Sequence, residues 1–174
     1  MAKLFVLFYN DKAVFHTLQR HLIMEIKSTF LGTQSVDADT IITFPNGIPG
    51  FEEDTRFKLF HQEGSEVVYW MQSLDNDELL FSVAQPSHFK INYNFILTDE
   101  EETLLKLDNI EDIFILIILQ KTDATTEKAI IKGSITSPLV INEKTMLGLQ
   151  KYLPKVDQSI TLTDTSHEVS IFGG

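Results

Sequence analysis

The chain contains no cysteine. That single absence excludes a disulfide framework, a thiolate metal centre and a cysteine nucleophile. No apolar run approaches the roughly 20 residues that a helix needs to cross a bilayer. The glycines are scattered, so neither a phosphate-binding loop nor a dinucleotide fingerprint is present. Five histidines (His16, His21, His61, His88 and His167) show no helical metal-ligand spacing, and no GxSxG elbow occurs. We therefore expect no catalytic site, no metal and no cofactor. Acidic pairs such as Asp75 with Asp77 and Glu52 with Glu53 keep a carboxylate-based hydrolase as a minor alternative.

Basic residues are also scarce, 14 against 25 acids, for a formal charge of −11. A surface this acidic repels nucleic acid and anionic lipid, and its natural complement is a basic protein surface. The same surplus also serves plain solubility. Three of the basic residues (Lys3, Lys12 and Arg20) fall before residue 24 with only Asp11 to oppose them, so the acidity belongs to the rest of the chain. Residues 1–23 read either as an added N-terminal element or as sequence upstream of a true start at Met24, with a slight lean to the second. The run Leu4–Tyr9 after Lys3 is too short for a signal-peptide core and is broken by Asn10, Asp11 and Lys12. A cytoplasmic protein is expected.

What is present is a core. With 174 residues, 43 % of them hydrophobic and 13 of them Phe, the chain suits one domain that buries about 70 % of its unfolded surface. The pattern is mainly β. A strand is expected to run from Met24 through Ile26, Thr29 and Leu31 and to end at Gly32, and another over Ile41–Phe44 is stopped by Pro45. Further strands are expected at Phe57–His61, Val67–Gln72, Leu79–Ala84, Ala129–Ile135 and Leu139–Ile141. Between them Ile113–Leu119 reads IFILIIL, a run suited to a strand buried on both faces. Thr98 followed by Asp99, Glu100 and Glu101 marks one capped helix. Many short strands with turns between them suggest a sandwich or a small barrel.

One segment stands apart. FPNGIPGFEE, Phe44–Glu53, concentrates Pro45, Pro49, Gly47 and Gly50. Two fixed φ angles and two glycines predict a stiff, doubly turned loop. Such a loop either presents Ile48 and Phe51 to a partner or plugs them into the core. A second segment, YWMQSLDND, should set Tyr69, Met71 and Ser73 on one strand face and Trp70, Gln72 and Leu74 on the other.

These segments, taken as IITFPNGIPGFEE, YWMQSLDNDELLFSVAQP and then SPLVIN with Gly148 and Gln150, resemble the flagellar assembly factor FliW family over roughly Met24–Leu153. The resemblance implies a compact, mainly β, barrel-like single domain with one or two short helices. It divides the chain into residues 1–23, a domain at 24–153 and a tail at 154–174. It also implies a protein-binding role: antagonism of the RNA-binding translational regulator CsrA, allosteric rather than by RNA mimicry, in competition with binding of flagellin. The partners expected are therefore a CsrA-type regulator and flagellin, with no direct nucleic acid and no membrane, and with a monomer when free. An acidic decoy seated directly on a basic nucleic-acid-binding surface is the alternative. The candidate protein-binding residues are Phe44, Pro45, Gly47, Ile48, Pro49, Gly50, Phe51, Glu52, Trp70, Gln72, Ser73 and Asn142. The chain departs from the family pattern at Ser137, where Ala is usual, and at Met146 and Leu147, where a basic residue is usual.

Overall fold

A computed structural model describes residues 22–61, 64–122, 130–154, 160–163 and 168–171, with the backbone alone at 121–122, 130–132, 160–163 and 168–171. Its strands are β1 (Ile23–Ser28), β2 (Gly32–Asp37), β3 (Ile42–Thr43), β4 (Arg56–His61), β5 (Val68–Ser73) and β6 (Leu80–Ala84), then β7 (Ile113–Thr122), β8 (Ile130–Gly133), β9 (Leu139–Asn142), β10 (Leu147–Gln150), β11 (Ile160–Thr163) and β12 (Glu168–Ile171). One α-helix, α1 (Asp99–Leu105), lies between β6 and β7, and short 3-10 turns occupy Ala38–Thr40, Pro86–Phe89 and Ile110–Asp112.

Seven strands close into a barrel in the order β6, β5, β4, β3, β10, β9, β7 and back to β6. A ring with an odd number of strands cannot alternate direction all the way round, so at least one neighbouring pair must run parallel. That pair is β3 with β10, where Thr43 registers with Leu147 and the Thr43 N–H donates to the Met146 carbonyl at 2.8 Å. Closure pairs most of the edge that an open sheet would leave to aggregation, with β6 and β7 joined over three residues. Along β7, β9 pairs with Ile113–Leu116 and β8 with Leu119–Thr122, so β8 and β9 form one line with Ser134–Pro138 looped out between them. The β11–β12 hairpin lies within the segment expected as a tail, with β12 beside β8.

Side-chain alternation sorts the core. Leu116, Ile118, Leu139 and Ile141 point into the barrel with Phe44, Ile48, Phe57 and Met71. Ile117 and Leu119 point outward beneath Phe89 and Ile91, and Val140 points outward beneath Leu105 of α1. The stretch from Pro86 to Leu107 thus covers the outer wall, which explains why IFILIIL needs no polar face. The predicted cap on α1 is present as a full capping box: Thr98 Oγ1 accepts from the Glu101 N–H, and the Glu101 carboxylate accepts from the Thr98 N–H.

Two expectations need correction. Gly32 does not end the first strand; it opens the second strand of a hairpin, β1–β2. Ser28 Oγ accepts from the N–H groups of Phe30 and Leu31, closing a turn, and Gly32 then takes φ +70°, the left-handed residue that short hairpin loops require. Strand β10 was not expected, because four residues with Gly148 among them carry little strand signal. Gly148 is required there: a Cβ would lie 2.7 Å from the fully buried ring of Phe44.

Candidate recognition surface

The Phe44–Asp54 loop makes two consecutive tight turns. The Gly47 N–H donates to the Phe44 carbonyl at 2.9 Å, and the Phe51 N–H to the Ile48 carbonyl at 2.7 Å. The second turn has Pro49 at its first central position and Gly50 (φ +87°) at its second, the arrangement of a type II turn. Gly47 has φ +68°, and a Cβ there would meet Glu52 Cα at 2.5 Å, so the chain folds back on itself too closely for any side chain. The loop's ends are pinned by Phe44 N–H to Thr55 carbonyl (2.7 Å) and Asp54 N–H to Phe51 carbonyl (3.1 Å).

Ile48 and Phe51 then separate. Ile48 is 2 % exposed and joins the barrel interior, whereas Phe51 is 40 % exposed. The Phe51 ring meets Phe81 edge-to-face at 5.0 Å, and Phe81 continues inward to Phe57 and Phe44. Beside it Glu52 is fully exposed and accepts from the Gly50 N–H at 2.8 Å. That bond and its own backbone N–H hold the Glu52 carboxyl below its ordinary value, so it is charged at neutral pH. Pro45, Pro49 and Gly50 are exposed with it.

The other sequence candidates are mostly interior. Phe44, Gly47, Gln72, Ser73 and Asn142 are buried, and Trp70 is half-buried on β5 between Phe60 and Ser82. Gln72, at 0 % exposure, receives the Ser28 hydroxyl proton on Oε1 at 2.5 Å. Its Nε2 donates to the carbonyls of Ser73, Asn76 and Leu79. Ser73 donates its hydroxyl to the buried Asp54 carboxylate at 2.6 Å and accepts from the N–H groups of Asp75 and Asn76. These two residues therefore tie together the hairpin tip, the β5–β6 turn and the Pro/Gly loop.

Asp75 completes the tie from outside. It accepts from the N–H groups of Thr55 and Arg56 at 2.9 Å each and from the Arg56 guanidinium through Nε at 2.8 Å. Partial burial pushes its carboxyl up, but the Arg56 side chain and the two backbone donors outweigh burial and hold it below the usual carboxylate range. An open cleft of about 500 Å³ lies here, rimmed by Lys27, Glu53, Asp54, Asp75 and Asp77. Among the described residues, no group of three or more His, Asp or Glu side chains is arranged to hold a metal ion. The sequence reading missed Asp54, Arg56 and Ser28. The serine ahead of Asp75-Asn76 is a local turn signal, but Ser28 meets Gln72 across 44 residues and leaves no local trace.

Asn142 serves the opposite side of the barrel. Its Nδ2 donates to the Leu105 and Lys106 carbonyls at the end of α1 (3.0 and 3.3 Å), and its Oδ1 accepts from the Lys144 N–H. Thr145 Oγ1 adds a second bond to the Leu105 carbonyl. Free carbonyls at a helix C-terminus need such partners when buried.

The model of the family described as FliW protein matches residues 25–163. The chain belongs to the FliW family. It is 36 % identical over 144 residues to the flagellar assembly factor FliW of Azoarcus sp. (strain BH72), covering 81 % of this chain and 99 % of that one. It is 38 % identical over 141 residues to the protein of the same name from Chromobacterium violaceum, covering 77 % and 96 %. A crystal structure of the flagellar assembly factor FliW superposes with a TM-score of 0.67 at 25 % identity over 77 % of this chain and 92 % of that one. These FliW proteins are named as assembly factors. The barrel and its closure are thus those of the family. At the departure from the family pattern, Met146 sits in a left-handed turn (φ +54°) and packs half-buried against the barrel interior, while Leu147 packs with Leu97, Leu105 and Val140 beneath α1. Among the described residues, no helix is long and apolar enough to cross a membrane.

Proposed function

We propose that this FliW-family chain is a cytoplasmic, non-enzymatic partner switch. It binds a CsrA-type translational regulator, relieves repression of flagellin synthesis, and binds flagellin in competition with that regulator. The observation that carries the reading is the exposed face of the Phe44–Asp54 loop. Pro45, Pro49, Gly50, Phe51 and Glu52 are exposed, and their backbone is already fixed by two turns. A loop ordered before binding loses little entropy on binding. Phe51 offers an aromatic anchor of the kind enriched at protein interfaces, and Glu52 a rim charge that can steer a basic partner.

The acidic balance of the chain suits a basic regulator. Opposite charge raises the encounter rate and makes it fall with salt. The antagonism acts away from the regulator's RNA surface, so a ternary complex with RNA forms transiently; an acidic decoy would instead exclude RNA from the outset. Titration of the full chain with the same organism's regulator and flagellin tests this. We expect each to bind and to displace the other, and Phe51→Ala or Glu52→Lys to weaken at least one complex while leaving the fold intact. Unchanged affinity for both in a folded variant would refute the loop's role, and binding to neither would refute the switch.

A further inference from the structure

The barrel wall has a gap between β6 and β7. The two strands pair over three residues alone, Ser82–Ala84 against Ile117–Leu119. In a β-strand, successive residues direct their backbone groups to alternate edges. The bonds from Ser134 N–H to Ile118 carbonyl and from Glu143 N–H to Asp112 carbonyl show that even-numbered residues here address the β8–β9 edge. Ile113, Ile115, Ile117 and Leu119 therefore address the β6 edge. Extending the register past Ala84 would set Pro86 opposite Ile115, but proline has no N–H to give. At that point the chain leaves the sheet as the 3-10 turn Pro86–Phe89, which uses the Gln85 and Pro86 carbonyls for its own bonds, to the N–H groups of His88 and Ile91. The Ile113 N–H is taken up by the Ile110 carbonyl. The Ile113 carbonyl and both backbone groups of Ile115 find no partner among the described residues. They open onto a cleft of about 260 Å³ bounded by Pro86, Ser87, Ile91 and Tyr93, with no charged side chain in its lining.

Unpaired donor and acceptor groups along a strand are a template for another strand. We propose that this gap is a β-augmentation site that takes an extended segment of a partner protein, laid antiparallel to β7 in line with β6. The inference rests on the protein-binding reading above and adds a contact separate from the Phe51 loop. The register sets the chemistry of the occupant. One residue exchanges two backbone bonds with Ile115, and its apolar side chain lies beside Ile115. The residue two positions later donates to the Ile113 carbonyl. Beyond the end of β7, in the turn Ile110–Asp112, Glu111 is exposed, which favours Lys or Arg where the segment leaves the sheet.

The test uses two variants of the full chain. Ile115→Pro deletes an N–H that no ladder bond within the described chain uses, and strands tolerate proline where the N–H faces an open edge. Ile115→Ala deletes the same side chain but keeps the N–H, so the pair isolates the backbone group. Titrated with flagellin and with the CsrA-type regulator, Ile115→Pro should bind at least one of them roughly tenfold more weakly than Ile115→Ala. Residue-resolved hydrogen exchange on the unmodified chain gives a second reading, decisive even if Ile115→Pro fails to fold. The Ile115 amide should exchange much faster than those of Phe114 and Leu116, and should slow when that partner is bound. Protection of Ile115 in the free chain would overturn the proposal, because the edge would already be covered. Binding that leaves the Ile115 amide fast and the two variants equal would overturn it while leaving the partner switch standing. Binding to neither protein would overturn both.

Discussion

The Phe44–Asp54 loop and the Leu139–Gln150 hairpin both carry dense sequence motifs, yet they spend them differently. In the hairpin every side chain of β9 is buried, and Asn142 holds the end of α1. In the loop, Phe44, Gly47, Ile48 and Asp54 are buried while Pro45, Asn46 and Pro49–Glu53 face outward, and the Ile48–Phe51 turn carries the chain from one side to the other. A motif therefore marks where the backbone has few alternatives, and burial decides which of its residues remain free to meet a partner. The β5 residues Gln72 and Ser73 resemble Asn142 in this respect. They are polar, buried and fully engaged, and they set the loop's posture from below.

The largest effects should come from breaking the buried ties. Asn142→Ala takes the side-chain donor from the Lys106 carbonyl and the acceptor from the Lys144 N–H, and leaves the Leu105 carbonyl to Thr145 alone. Gln72→Ala takes the acceptor from the Ser28 hydroxyl and the side-chain donor from the Ser73 carbonyl, while the Asn76 and Leu79 carbonyls keep the N–H groups of Leu79 and Ser73. Each should cost about 2–4 kcal/mol in denaturant unfolding, since buried polar groups lose their partners. Next comes a contrast within the loop. Gly47→Ala drives a Cβ into the Glu52 backbone and should cost more than about 2 kcal/mol, whereas Gly50→Ala meets open space and should cost only the left-handed strain of about 1 kcal/mol. Equal costs would erase the distinction between the loop's buried and exposed faces.

A smaller effect concerns pH. Asp75 has a lowered carboxyl in the folded state, so its contribution is complete above about 4, the ordinary value for an unfolded Asp, and fades as pH falls through the lowered folded value. The stability difference between the unmodified chain and Asp75→Asn should therefore shrink steadily on acidification below that point. A difference that grows instead would contradict the latch to Arg56. Smallest of all should be Phe51→Ala, at about 1 kcal/mol from the lost edge-to-face contact. Its consequence should appear in binding and not in folding.

Much of the fold was legible in sequence because local chemistry fixes it. The capping box at Thr98, the double turn at Pro45–Gly50 and the two-sided strand at IFILIIL each follow from a few adjacent residues. Long-range facts were not legible. The parallel closure of β3 on β10 rests on Thr43 and Met146, and β10 owes its place to a glycine that fits only because Phe44 lies against it. Ile48 and Phe51 are alike in local sequence and differ only in which side of a turn they occupy. The bare edge at Ile115 is likewise invisible in sequence, because it depends on where Pro86 falls in the register of another strand.

The most direct test of the central claim is competitive isothermal titration of the full chain against the same organism's CsrA-type regulator and flagellin, at low and moderate salt. The account predicts that each binds, that either displaces the other, that the regulator complex weakens with salt, and that Phe51→Ala weakens at least one complex without unfolding the chain. Tight binding untouched by Phe51→Ala, or no binding to either protein, would contradict it.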